Sequence, residues 1–99
     1  MAKLLRADGS EENLQPPNGV HWNVNELQIL VGGYVEVVNT HDGRYLVLDE
    51  EGKLKRKPLN IAATRMYQYG RRDVIAGDVV LVDTRLELDG PEEGPEEER

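Results

Sequence analysis

The chain contains no cysteine. That excludes a disulfide framework, a thiolate zinc site and a cysteine nucleophile. Phenylalanine is also missing and Trp22 is the single tryptophan, so most aromatic surface rests on four tyrosines. Two histidines, His21 and His41, leave little for metal ligation, and no cofactor or metal is expected. Serine occurs once, at Ser10, without the Gly-x-Ser-x-Gly context of a nucleophile elbow. There is no Walker loop and no dinucleotide fingerprint. No apolar run approaches the roughly 20 residues of a membrane span. The start of the chain lacks the apolar core of a secretory signal. These absences together set the expectation of a cytoplasmic protein with no membrane partner.

What is present fits one small domain. The chain has 99 residues, 38% of them hydrophobic. A domain this short buries only about 60–70% of its unfolded surface. Pairing with another copy is a way to bury more, and a homo-oligomer is expected.

Charge is unevenly spread. The formal net charge is −7, from 19 acidic and 12 basic side chains. The stretch from Thr84 to Arg99 carries seven acids and two bases, −5, which leaves −2 for residues 1–83. From Asp89 onward it has no hydrophobic residue to offset the entropy of ordering. The expected division is therefore a domain over 1–83 and a flexible, disordered acidic tail over 84–99. Inside the domain, Lys53, Lys55, Arg56, Lys57, Arg65, Arg71 and Arg72 form a +7 segment with no Asp or Glu between Lys53 and Arg72. Three readings are open: a solvated surface balancing the tail, a site for an anionic ligand, or a basic localisation patch.

Local patterns predict an α+β fold with a mostly antiparallel sheet and two short helices. Lys3–Ala7 reads as a first strand and 8–19 as loop, with Asp8-Gly9, Pro16-Pro17 and Asn18-Gly19 as punctuation. Asn23 followed by Glu26 is a capping box, and Trp22 with Leu27 a hydrophobic staple. Leu27, Leu30 and Val31 then repeat on one helical face, and Gly32-Gly33 supplies the stop. Tyr34–Val38 and Arg44–Leu48 read as an antiparallel hairpin turning at Asp42-Gly43. Lys53–Lys57 reads as a short extended piece before Pro58. The stretch from Leu59 to Gly70 reads as a second helix, capped by Asn60, with Ala62, Met66 and Tyr69 on one face, Ala63 alongside, and Gly70 as its stop. Val79–Val82 is fully apolar and reads as a central strand.

Several blocks in this order resemble a known family. They are Leu27, Gln28, Val31, Gly32, Gly33 and Glu36; then Asp49, Glu50, Gly52, Asn60, Ala63 and Thr64; then Gly77 and Asp78. Over about residues 3–83 the chain is similar to the proteins catalogued as domain of unknown function 3846. That resemblance implies a setting in phage genomes and other mobile elements, and assigns no residue a role. For a phage-encoded chain the expected location is the host cytoplasm.

Glu36, Asp49 and Glu50 are the acid candidates, and general acid–base chemistry would require two of them to converge on one cleft. The sequence favours a non-enzymatic protein. The candidate ligand-binding residues are Lys53, Lys55, Arg56, Lys57, Asn60, Arg65, Arg71 and Arg72, with Tyr34 for stacking on a base. Asn60 has two readings, as a cap and as part of a site at that helix start. The expected function is a phage or mobile-element binding protein that counters host defence by sequestering a small anionic nucleotide-type signal. The alternative is an interaction module that binds and inhibits a host protein through its sheet or acidic tail. Double-stranded DNA is disfavoured as a partner by the −7 charge.

Overall fold

A computed structural model describes residues 2–89. Five strands form one antiparallel sheet in the order β2-β1-β5-β4-β3. The strands are β1 (Ala2–Leu5), β2 (Glu11–Leu14), β3 (Val35–Asn39), β4 (Tyr45–Asp49) and β5 (Val79–Val82). The helices are α1 (Val24–Val31), α2 (Ile61–Met66) and α3 (Leu86–Asp89). The apolar run of β5 lies in the middle of the sheet with every residue buried, which is why it tolerates no polar alternation.

Side chains alternate across the strands, and both faces are covered. On one face Leu4, Val47, Val80 and Val82 pack with Trp22, Leu27, Val31 and Leu88. On the other Leu5, Leu46, Leu48, Val79 and Leu81 pack with Ala63 and Ile75, flanked by Met66 and Tyr67. The first layer is built by α1 and α3, the second by α2.

Helix α1 starts as its sequence requires. The Asn23 side chain accepts from the Glu26 N–H at 2.9 Å, and the Glu26 carboxylate accepts from the Asn23 N–H at 3.0 Å. Trp22 and Leu27 are buried in one cluster. Gly32 takes the left-handed conformation at φ 79° and its N–H reaches the Gln28 carbonyl. Substituting Asn23→Ala is expected to lower stability by about 1 kcal/mol in urea unfolding, with an unchanged m-value.

Four features differ from the sequence expectations. Residues 11–14 are not loop: they pair with β1 from Ala2↔Leu14 to Leu5↔Glu11. This edge strand is hard to see in a sequence because only Leu14 packs on the core. Its stability comes from backbone pairing and from ion pairs of Lys3 with Glu11 and Arg6 with Glu12. Helix α2 is shorter than the predicted 59–70. After Met66 the backbone bonds the end of β3 and the loop after it instead, His41 N–H to the Met66 carbonyl and Gln68 N–H to the Asn39 carbonyl, so Gly70 is not the stop; Ala63, beside Ala62, is the alanine buried in the core. Lys53–Lys57 is not extended: Lys53 to Arg56 lie in turns, with Arg56 at φ 59°. Ordered structure also continues past Asp83, since α3 places Leu88 in the core. The rest of the expected acidic tail, from residue 90, lies outside the described residues.

Candidate anion-binding surface

The +7 segment is divided in two by the fold. Its three lysines are held by acids of the chain itself. Lys53 reaches Asp73 at 2.5 Å. Lys55 and Lys57 both reach Asp49, at 2.9 and 2.8 Å. The same two ammonium groups donate to carbonyls at the end of α1, Lys57 to Val31 at 2.8 Å and Lys55 to Gly32 at 3.2 Å. Cations there oppose the negative end of the helix dipole. Asp49 is the buried centre of this lock, its side chain 1% exposed. Burial alone would raise its carboxyl pKa, but hydrogen bonds from Lys57, Lys55 and the Glu51 N–H prevail and hold it at about 2. Gly33 is required beside it, because a Cβ there would lie 2.6 Å from the Asp49 carboxyl carbon.

The arginines are different. Arg56, Arg65, Arg71 and Arg72 are exposed and have no acidic partner among the described residues. Arg65 stands in the last turn of α2. The chain then folds back on that helix: Gly70 sits where a Cβ would lie 2.0 Å from the Thr64 carbonyl oxygen, and the Ile75 N–H donates to the Thr64 hydroxyl at 2.9 Å. This brings Arg71 and Arg72 beside α2. The Lys53–Asp73 pair, in which the ammonium hydrogen bond lowers the Asp73 pKa, ties the turn carrying Arg56 to the same loop. Tyr69 is exposed and opens the turn that carries Arg71 and Arg72, its carbonyl accepting from the Arg72 N–H at 2.9 Å, and its ring is held edge-to-face against Tyr67 with centroids 5.7 Å apart. Guanidinium groups beside an exposed ring form the chemistry that forks onto phosphate and stacks on a base.

Two other sequence candidates stand apart from this surface. Asn60 is 1% exposed and fully used inside, accepting from Ala63 N–H and donating to the carbonyls of Leu5 and Gly77. Tyr34 is exposed at the entry to β3, and its carbonyl accepts from the Glu50 N–H. The sequence placed Tyr69 on the inner face of a longer second helix and gave the stacking role to Tyr34, whereas the structure leaves Tyr69 exposed. The sequence reading passed over Asp73, the first acid after the basic run.

The acid candidates do share one cleft. Glu36, Asp49 and Glu50 line a cavity of about 50 Å³ together with Lys53, Tyr67 and Asp73. That volume accommodates a water or two. Ser10 is engaged with Asp8, its hydroxyl donating at 2.6 Å.

The residues that carry the family resemblance are largely those that hold the fold. Gln28 closes the end of α1, Asp49 anchors Lys55 and Lys57, and Gly52 fits where a Cβ would meet the Ala76 carbonyl at 2.7 Å. Asn60 caps α2, Thr64 receives Ile75, Gly77 adopts φ 91°, and Asp78 accepts from the Ala7 N–H. Among the described residues no helix is long and apolar enough to cross a membrane. Comparison with curated proteins and with solved structures finds no significant match. A family model does match, over residues 7–90, and the chain belongs to that family, described as a domain of unknown function, DUF3846.

Proposed function

We propose that this protein is a non-enzymatic binding protein that takes a small anionic nucleotide-type molecule on the surface formed by Arg56, Arg65, Arg71 and Arg72. One observation carries the reading. The fold pairs the three lysines of the basic segment with Asp49 and Asp73, Asp49 shared by two of them, and leaves its four arginines without acids among the described residues. Like charges gathered on one surface repel, and an anionic ligand relieves that repulsion. Tyr69 supplies a ring for a base. In the mobile-element setting that the resemblance implies, the role is to withhold such a signal from a host defence system.

The test is a melting-temperature screen against cyclic and ADP-ribose-type nucleotides. A ligand at one hundred times its dissociation constant adds about 2.7 kcal/mol of stability. Arg65→Ala and Arg71→Ala are expected to abolish the shift while leaving the circular dichroism spectrum unchanged, and deletion of residues 90–99 is expected to preserve it. Retention of the full shift in both arginine variants would refute the proposed surface.

A further inference from the structure

We infer that Arg56 is the anchor of the anionic ligand, and that this ligand carries two phosphate groups, one for Arg56 and one for the arginines beside α2. This assignment rests on the anion-binding reading above and narrows its ligand class. The backbone gives the first indication. The turn from Gly52 to Lys57 closes as a Schellman motif: the Lys57 N–H donates to the Gly52 carbonyl and the Arg56 N–H to the Lys53 carbonyl, both at 3.0 Å. The next-to-last residue of such a motif is left-handed and usually glycine. Here it is Arg56, at φ 59°. At every other left-handed position among the described residues the chain has glycine. A side chain in that conformation is unfavourable, because its Cβ crowds the following carbonyl oxygen. Residues held this way cluster at ligand clamps and other functional sites.

Within the fold nothing offsets that strain. The Arg56 side chain is exposed and makes no hydrogen bond or ion pair among the described residues. Its neighbours behave in the opposite way. Lys53 pairs with Asp73, and Lys55 and Lys57 pair with Asp49. These pairs pin the turn on both sides of Arg56, so its guanidinium is carried on a fixed backbone. Such preorganisation lowers the ordering cost of binding. The same pairing divides the positive surface. Arg56 follows Lys53 by three residues, and Arg71 and Arg72 directly precede Asp73. The Lys53–Asp73 pair, without net charge, therefore separates the two groups of arginines. A guanidinium forks onto one phosphate. A ligand with a phosphate on each side of the ion pair engages both groups, and a ligand with one phosphate engages one.

Stability and binding together test this assignment. Arg56→Gly and Arg56→Asn remove the guanidinium at a position whose backbone both residues accept. Arg56→Gly is expected to melt about 2–5 °C above the unmodified protein, and Arg56→Asn no lower than it. In isothermal titration, the tighter binder of cyclic di-AMP and ADP-ribose, each with two phosphates, is expected to bind the unmodified protein about tenfold or more tighter than AMP, which has one. Both variants are expected to lose that preference. A melting temperature for Arg56→Gly below that of the unmodified protein, or an undiminished preference in the two variants, would overturn the anchor. If Arg65→Ala nevertheless loses binding, the arginine surface stands without it. Equal affinity of the unmodified protein for AMP would overturn the two-phosphate class. No binding of cyclic di-AMP or ADP-ribose to the unmodified protein would overturn the anchor and the surface together.

Discussion

Asn60→Ala is expected to remove on the order of 3 kcal/mol of stability, a large share of the roughly 5–15 kcal/mol that holds a domain together. The Asn60 amide joins three parts of the molecule. Its oxygen accepts from the Ala63 N–H at 3.1 Å and starts α2. Its nitrogen donates at 2.9 Å to the Leu5 carbonyl at the end of β1 and at 2.9 Å to the Gly77 carbonyl before β5. Alanine loses the cap, worth about 1 kcal/mol. It also leaves two carbonyls without their partner at a site that is 1% exposed, and each buried unsatisfied group costs about 1–3 kcal/mol. Asn60→Asp keeps the accepting oxygen but loses both donated bonds, so it is expected to be no better than alanine near neutral pH. Guanidinium unfolding of the three proteins measures this. A loss below about 1 kcal/mol for Asn60→Ala would mean that the cap alone matters.

Asp49→Asn is expected to cost about 2 kcal/mol near neutral pH, below the 3–5 kcal/mol of a fully buried pair because its partner lysines reach solvent. The variant leaves Lys55 and Lys57 facing a neutral group while they still cap the end of α1. The pH dependence has a definite sign. The folded pKa of Asp49, about 2, lies below its ordinary value of 3.8. Its ion pairs therefore stabilise the fold fully above the unfolded pKa, and that contribution is lost as pH falls from about 4 toward 2. The stability gap between the unmodified protein and the Asp49→Asn variant is expected to be constant from about pH 7 to 5 and to narrow below about pH 4. A gap that stays constant down to about pH 2 would contradict the assigned ionisation.

Much of the fold was legible because its signals are local. The capping box of Asn23 and Glu26, the alternation across Tyr34–Leu48 and the apolar run Val79–Val82 each need only neighbouring residues to be read. β2 was not legible, since Glu11, Glu12 and Asn13 owe their strand to the backbone of β1 and carry no apolar period of their own. The end of α2 was not legible either, because the bonds that stop it come from Asn39 and His41, over 20 residues earlier in the chain. The candidate surface was half legible. The basic run stands out in the sequence, but which cations it leaves unpaired depends on where Asp49 and Asp73 fall in space. Lys57 reaches the carbonyl of Val31 across 26 positions, a contact that no local pattern announces. Asn60 was read as a cap, and its two longer-range bonds explain why it has no reach left for a ligand.

The most direct test of the arginine surface is chemical-shift mapping of the ¹⁵N-labelled protein with ADP-ribose and, separately, a cyclic dinucleotide. The expected result is saturable movement of the amides of Arg65, Tyr69, Arg71 and Arg72, extending to Arg56 across the Lys53–Asp73 pair, and loss of these movements in Arg65→Ala and Arg71→Ala. Movements confined to other parts of the molecule, or none with either compound at millimolar concentration, would contradict the account.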